Sequence, residues 1–130
     1  MILFEKLKLF FPKNRKLIFY ILDELRQCVP EKDWDAYYQQ ISCIERVQWV
    51  LDKEVDLYYH SDCKDNKLFN KEYTAMVLIE TKDKTYKIKI FAINGKIFSL
   101  ESNIPFKKLR IQDVNKFEIQ CHPTPLEAFT

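Results

Sequence analysis

The side chains best suited to metal or thiolate chemistry are two histidines and four cysteines. His60 and Cys63 lie three residues apart in a polar segment, and Cys121 and His122 are adjacent near the end of the chain. Together they would supply a Cys2His2 set for zinc. Their spacing matches no standard zinc pattern, because adjacent Cys and His ligands do not easily share a tetrahedral site. We therefore predict that no metal is bound.

A cysteine nucleophile needs a base within reach. The best triad in this chain is Cys63 with His122, oriented by Asp62 or Asp65, and these two aspartates also form a carboxylate pair. No cysteine lies in a recognisable nucleophile elbow or begins a clear helix, where its thiolate would be stabilised. The simpler interpretation is a loop cysteine and a tail histidine, so we predict a protein that is not an enzyme.

A second carboxylate group follows a predicted strand. Asp52, Glu54 and Asp56 alternate along it and so point to one face, opposite Val55 and Leu57. Neighbouring carboxylates can bind a cation or raise one another's pKa. We favour the simpler interpretation, in which they form the solvated face of an edge hairpin.

The chain contains a single glycine, Gly95. Phosphate-binding loops such as G-x-G-x-x-G and the P-loop need several glycines, because the backbone must approach the phosphates closely. This composition argues against nucleotide-dependent chemistry of the common types. We predict that the protein uses no cofactor.

A basic strand offers one nucleic-acid signal. Lys87, Lys89 and Phe91 share one face of it, and a basic sheet with an exposed aromatic ring can track a phosphate backbone and stack a base. The formal net charge of +2 favours an ordinary lysine-rich solvent face instead. Further lysines lie in or beside the turns: Lys82, Lys84 and Lys96. Binding of single-stranded nucleic acid is therefore kept as an alternative.

The elements that must position these residues fit one domain. A chain of 130 residues, 47% hydrophobic and 15% aromatic, can build a core without metal or disulfide support. The cysteines are widely spaced, and neither a signal peptide nor a membrane-spanning apolar run is recognisable. We therefore predict a cytoplasmic protein with reduced thiols.

Helices are predicted in the first third of the chain. Apolar spacing predicts a short helix over residues 3–11, ended by Pro12, and a longer one over 14–29, followed by Pro30. Asp33 is predicted to cap a third helix. One face of that helix carries apolar side chains at helical spacing: Trp34, Tyr37, Tyr38, Ile41 and Ile44.

The apolar period then becomes alternating. Residues 47–51 and 55–59 predict a β-hairpin, residues 60–71 a polar loop, and residues 72–102 a three-stranded meander. One more strand is predicted from alternating residues: Phe117, Ile119 and Cys121. Helices that pack on one face of a mostly antiparallel sheet of about five or six strands make a single α+β domain over residues 1–130.

The register of the meander follows from requiring one apolar face. A two-residue Asn94-Gly95 turn would mix apolar and polar residues on both faces. A three-residue loop over 93–95, with Gly95 as a bulge residue, instead places Ile90 opposite Phe98. We therefore predict the three-residue loop. The same logic pairs two further apolar sets, with Ala75, Val77 and Ile79 across from Tyr86, Ile88 and Ile90.

This register leaves apolar and basic side chains on the second face of the meander. We predict that the following residues bind a partner: Met76, Leu78, Lys87, Lys89, Phe91, Ile93 and Ile97. Exposed together, the apolar ones would exceed the scattered apolar surface of a monomer and mark an interface. The alternative is that the C-terminal tail or the N-terminal arm, with Phe4, Phe10 and Phe11, covers them.

These features predict a non-catalytic protein-binding module whose partner is another protein or a second copy of the chain, with no membrane partner. A concrete version is a small bacterial immunity or antitoxin-type protein that neutralises a toxin by surface complementarity. The remaining alternative is a ligand-binding or hydrolytic domain with an aromatic pocket, although such residues are more often core. Its candidate lining is Trp34, Trp49, Tyr37, Tyr38, Tyr58 and Tyr59.

Overall fold

The computed structural model describes residues 16–63 and 67–122. The predicted helix over 3–11 and Asp65 lie outside the described residues. So do the N-terminal phenylalanines and the tail that were expected to cover the second face of the meander.

Two α-helices precede the sheet in the described part of the chain. Helix α1 (Lys16–Glu24) continues as a 3-10 turn over Leu25–Cys28, which confirms most of the helix predicted over 14–29. Val29 is extended because it precedes a proline, and this ends the segment. Helix α2 (Trp34–Ser42) follows a 3-10 turn over Glu31–Asp33, and the side chain of Asp33 makes no capping hydrogen bond. Asp33 thus occupies the predicted N-cap position, but its side chain does not cap the helix.

Six strands of the described chain form one antiparallel sheet, which confirms the α+β class. The strands are β1 (Ile44–Val50), β2 (Glu54–Tyr59), β3 (Tyr73–Glu80), β4 (Thr85–Ile93), β5 (Lys96–Ser102) and β6 (Lys116–Cys121). Their order in the sheet is β1-β2-β5-β4-β3-β6, so β2 lies between two neighbours and is not an edge strand. Ile44, predicted to lie on the helix that follows Asp33, instead begins β1.

Both helices pack on one face of this sheet, which we call the core face. The Tyr37 hydroxyl donates a hydrogen bond to the carbonyl of Leu22 and joins the two helices. Trp49 packs edge-on against the buried ring of Phe106 at 4.8 Å, so the segment after β5 closes the end of the core. The most buried residues of the core face are Val55, Leu57, Ala75, Val77, Ile79, Ile88, Ile90, Ile97 and Leu100.

The register of the β4–β5 hairpin differs from the predicted one. Asn94 and Gly95 form a two-residue turn, both with positive φ (53° and 82°), as a type I′ turn requires. The bulge lies at Phe98, because Phe91 pairs with Ser99 while Ala92 pairs with Ile97. The predicted three-residue loop and the glycine bulge are therefore wrong.

The bulge changes which side chains enter the core. It allows Ile97 and Leu100, three residues apart, to face the same side, and both are fully buried. Ile97 was predicted on the second face and Phe98 on the core face, and both placements are wrong. Between β3 and β4 the predicted pairing is confirmed, since Val77 lies opposite Ile88 and its apolar neighbours follow the same register.

Two disulfides join elements that are far apart in sequence. Cys28 is bonded to Cys121, which ties the helical layer to β6, and Cys43 is bonded to Cys63. The prediction of reduced thiols is therefore wrong. Disulfides persist in oxidising compartments, so the pair fits an extracytoplasmic protein better than a cytoplasmic one without settling the location. In the described ranges no helix is long and apolar enough to cross a membrane.

Candidate functional site on the outer face of the sheet

The second face of the sheet, opposite the helices, is called the outer face. Its central rows follow the predicted β3–β4 register, with Met76 opposite Lys89 and Leu78 opposite Lys87. Both lysines are exposed, whereas Met76 and Leu78 are half-buried. Six of the seven residues predicted to bind a partner therefore share this face, and Ile97 does not, because it lies in the core.

The apolar part of the outer face is less exposed than expected. Phe91 is half-buried, as are its apolar neighbours on β3, and Ile93 at the turn end is 49% exposed. The face therefore presents partly covered rings and side chains between exposed lysines, without a wide bare apolar patch.

Tyr73 belongs to this face and was missed by the sequence analysis. Strict alternation from Ala75 would put it on the core face, but a bulge between the two residues turns it outward, opposite Phe91. Its ring lies 5.6 Å from that of Phe91 and 4.4 Å from that of His122, and the Lys89 ammonium lies 5.9 Å from it. The bulge contains no glycine or proline, so the sequence does not indicate its position.

Three carboxylates occupy the β2–β5 part of the outer face, and we call Glu54, Asp56 and Glu101 the carboxylate cluster. Glu54 lies directly opposite Glu101, and Asp56 lies opposite Ser99. The Ser99 hydroxyl donates a hydrogen bond to Glu101 Oε2 at 3.2 Å. Neighbouring strands thus bring the three acids together, although Glu101 is 47 and 45 positions away from the other two in the sequence.

No ion pair between described residues reaches the carboxylate cluster. Asp56 is only 9% exposed and its Oδ1 atom has no hydrogen-bond partner. A hydrogen bond to Asp56, partial burial, and the negative charges of Asp56 and Glu101 raise the pKa of Glu54 to about 7.

The predicted solvated face of an edge hairpin is therefore wrong for Asp56. The strand that carries it has a neighbour on each side, and its carboxylate is buried. Asp52, the third predicted member, lies in the preceding turn with φ 58° and faces Lys107 at 3.9 Å.

A second carboxylate pair lies on the same face near the β3–β6 edge. Lys116 Nζ lies 3.2 Å from Glu118 Oε1 and 3.6 Å from Glu80 Oε2, and we call these residues the Lys116 group. All three side chains are exposed by 42% or more. Here one lysine ammonium group forms ion pairs with both carboxylates in open solvent.

The residues considered for zinc or thiolate chemistry are separated. Cys63 and Cys121 belong to different disulfides, so neither supplies a thiolate, and three strands lie between β2 and β6. His60 and Asp62 contact each other beside a surface cavity of about 470 Å³. Within residues 16–63 and 67–122 no three metal-ligating side chains are arranged to hold an ion.

The aromatic residues proposed to line a pocket are used in structural contacts. Trp34 donates hydrogen bonds to two backbone carbonyls at the end of the first helical segment. Tyr38 receives a hydrogen bond from Arg26, and Tyr59 donates one to the carbonyl of Ile97. Tyr58 lies on the outer face, where its ring contacts Phe98 at 6.1 Å. The six rings are thus divided between the core, the helical layer and the outer face.

Comparison of the chain with protein-family models, with curated proteins and with solved structures gave no significant match. Function is therefore inferred from the geometry of the outer face.

Proposed function

We propose that this protein is a non-catalytic module that binds a partner protein through the outer face of its sheet. The observation that carries this proposal is the composition of that face. Half-buried aromatic and apolar side chains, among them Phe91 and Met76, lie beside exposed lysines on this face. Lys89 pairs with Met76 on one side and with Glu101 of the carboxylate cluster on the other. Protein interfaces combine an aromatic, apolar centre with a polar rim in the same way.

The version that we favour is an immunity or antitoxin-type protein, which neutralises one cognate toxin by covering its surface. Lysines and carboxylates on neighbouring strands of this face support it, because charge complementarity selects a partner and excludes wrong ones. A nucleic-acid partner fits less well, since the carboxylates on the same face would repel phosphates.

Charge reversal on the outer face tests the proposal. The double variant Lys87→Glu/Lys89→Glu is compared with Lys107→Glu/Lys108→Glu, which changes the charge equally in the segment after β5. Each tagged protein captures partners from the native host, and a toxin encoded beside the gene is tested by co-expression. We expect the outer-face variant to lose capture and protection from the toxin while the control retains both.

The opposite pattern contradicts the proposal. If the outer-face variant, with an unchanged circular-dichroism spectrum, captures and protects as well as the native protein, the face does not bind the partner. Retention on immobilised single-stranded DNA at low salt, lost in the same variant, would favour the nucleic-acid alternative instead.

A further inference from the structure

The carboxylate cluster carries more negative charge than the described protein compensates. Asp56 is nine-tenths buried, and its Oδ1 atom has no hydrogen-bond partner. Glu54 adjoins it on the same strand and Glu101 lies directly opposite Glu54. A buried carboxylate oxygen without a hydrogen-bond partner is unfavourable, and such groups are concentrated at binding sites.

Two agents can relieve this charge, a proton or a cation. In the free protein a proton on Glu54 does so, since its pKa is about 7. The groups that face Glu54 are Asp56 on its own strand, Glu101 on β5, and Lys89 of β4 one strand further, opposite Glu101. From β1, the uncharged residues Gln48 and Val50 lie opposite Asp56 and Glu54.

The chemistry around the cluster favours a planar organic cation over a metal ion. No three ligating groups in the described chain are arranged to hold a metal. A guanidinium group presents five N–H donors in a plane, pairs with two carboxylates at once and stacks on aromatic rings. Tyr58 and Phe98 form an aromatic pair near the cluster, and the Arg46 guanidinium already lies 4.2 Å from the Tyr58 ring.

We propose that the carboxylate cluster is a binding site for an arginine side chain supplied by the partner protein. This inference rests on the proposed function, because the cluster is continuous with the outer face: Ser99 pairs with Phe91 and Glu101 with Lys89. The guanidinium pairs with the accessible carboxylates of Glu54 and Glu101 beside the buried Asp56, and its binding releases the proton held by Glu54. Affinity therefore rises with pH.

A small probe tests the site without the partner. Nα-acetyl-arginine amide is titrated into the 15N-labelled protein at low ionic strength, and backbone amide shifts are followed at pH 6 and pH 8. We expect saturable shifts at Glu54, Asp56, Ser99 and Glu101. Because the proton competes with the probe and the pKa of Glu54 is about 7, the affinity should be about tenfold higher at pH 8.

Matched variants separate the site from general charge attraction. Asp56→Asn keeps the shape and removes the buried negative charge, so it should abolish the saturable shifts. Glu118→Gln removes one carboxylate from the Lys116 group and should leave them unchanged. The dispersion of the amide spectrum reports whether each variant is folded, and Glu54→Gln provides a second variant, which should remove the pH dependence.

Three results would overturn the inference. These are shifts that do not saturate, shifts that persist in Asp56→Asn, and equal or tighter binding of calcium than of the arginine probe. Each of these results concerns the isolated protein and does not change the outcome expected of the capture experiment with Lys87→Glu/Lys89→Glu. Probe binding without partner capture would likewise support the site while contradicting the proposed function.

Discussion

Two groups of carboxylates on the outer face of the same sheet have opposite surroundings. In the Lys116 group, a lysine lies 3.2 and 3.6 Å from two exposed glutamates. In the carboxylate cluster, no ion pair among the described residues reaches the acids, and Asp56 is 9% exposed. Both groups arise from the same alternation along strands and the same antiparallel pairing.

Countercharge and burial, rather than the spacing of acids, therefore decide what a carboxylate group does. In open solvent an ion pair is screened and adds little to stability. Where a carboxylate is withdrawn from water without a cation, the charge lowers the stability of the free protein and attracts a ligand that neutralises it. A substitution in each group therefore tests whether countercharge and burial explain the difference.

The largest effect is expected from Asp56→Asn. Asparagine has the same shape, removes the buried charge and can donate a hydrogen bond to Glu54, so the free energy of unfolding should rise by about 2 kcal/mol at pH 8. Urea denaturation measures it. The matched control, Glu118→Gln in the Lys116 group, should give no gain. A loss of stability in Asp56→Asn would mean that the buried charge is compensated, and the contrast between the two groups would disappear.

Glu54→Gln is expected to give a smaller gain that depends on pH. In the folded protein the pKa of Glu54 is about 7, above its ordinary value of 4.5, so the folded state binds the proton more tightly. The native protein therefore loses stability as the pH rises from 4.5 to 7, and the variant does not. Because Glu54 is partly solvated, we expect a difference of about 1 kcal/mol at pH 8. It should vanish at pH 4.

Urea denaturation of both proteins at five pH values between 4 and 8 would measure this dependence. Parallel curves across the range would show that the Glu54 pKa is ordinary.

The contrast between the two groups shows how far the sequence could lead. Alternation correctly placed Val77 against Ile88, because an apolar residue at every second position leaves only one register with a buried face. The bulges at Thr74 and Phe98 place Tyr73 and Ile97 on the faces opposite to those that alternation predicts. The local residue types do not indicate a bulge at either position. Alternation along a strand therefore predicts the face on which a side chain lies only where no bulge inserts an extra residue.

The sequence predicted only part of the carboxylate cluster. Alternation predicts that Glu54 and Asp56 are neighbours on one face, and cation binding is one function that such neighbours can have. Glu101 joins them only because β5 lies beside β2, and strand order depends on packing of the whole sheet. The burial of Asp56 has the same origin. Two cysteine pairs separated by 93 and 20 residues likewise became visible only when the fold brought them together.

A cation can also be supplied to the carboxylate cluster from within the protein. Gln48 is exposed and lies directly opposite Asp56 on β1, so Gln48→Arg brings a guanidinium group to the cluster and makes it resemble the Lys116 group. A cross-strand pair of this kind should add about 0.5 kcal/mol at pH 8 and lower the pKa of Glu54. Side-chain carboxyl NMR shifts followed against pH measure that pKa.

The same variant also bears on the arginine site. Because its own guanidinium occupies the cluster, Gln48→Arg should compete with Nα-acetyl-arginine amide and weaken its binding. Gln48→Lys, which supplies a point charge without the planar donors, should weaken the binding less. Equal weakening by both variants would indicate a site that responds only to charge.

The smallest effect is expected in the Lys116 group itself. Lys116→Met removes the cation that contacts Glu80 and Glu118, but all three side chains are exposed, so water replaces the ammonium group around both acids. The urea unfolding midpoint should stay within repeat error in 0.5 M NaCl, where the Debye length is shorter than at low salt, and should fall only slightly at low ionic strength. A large loss that persists in high salt would place this group in a low-dielectric environment like that of Asp56, and exposure would then no longer explain why the two groups differ.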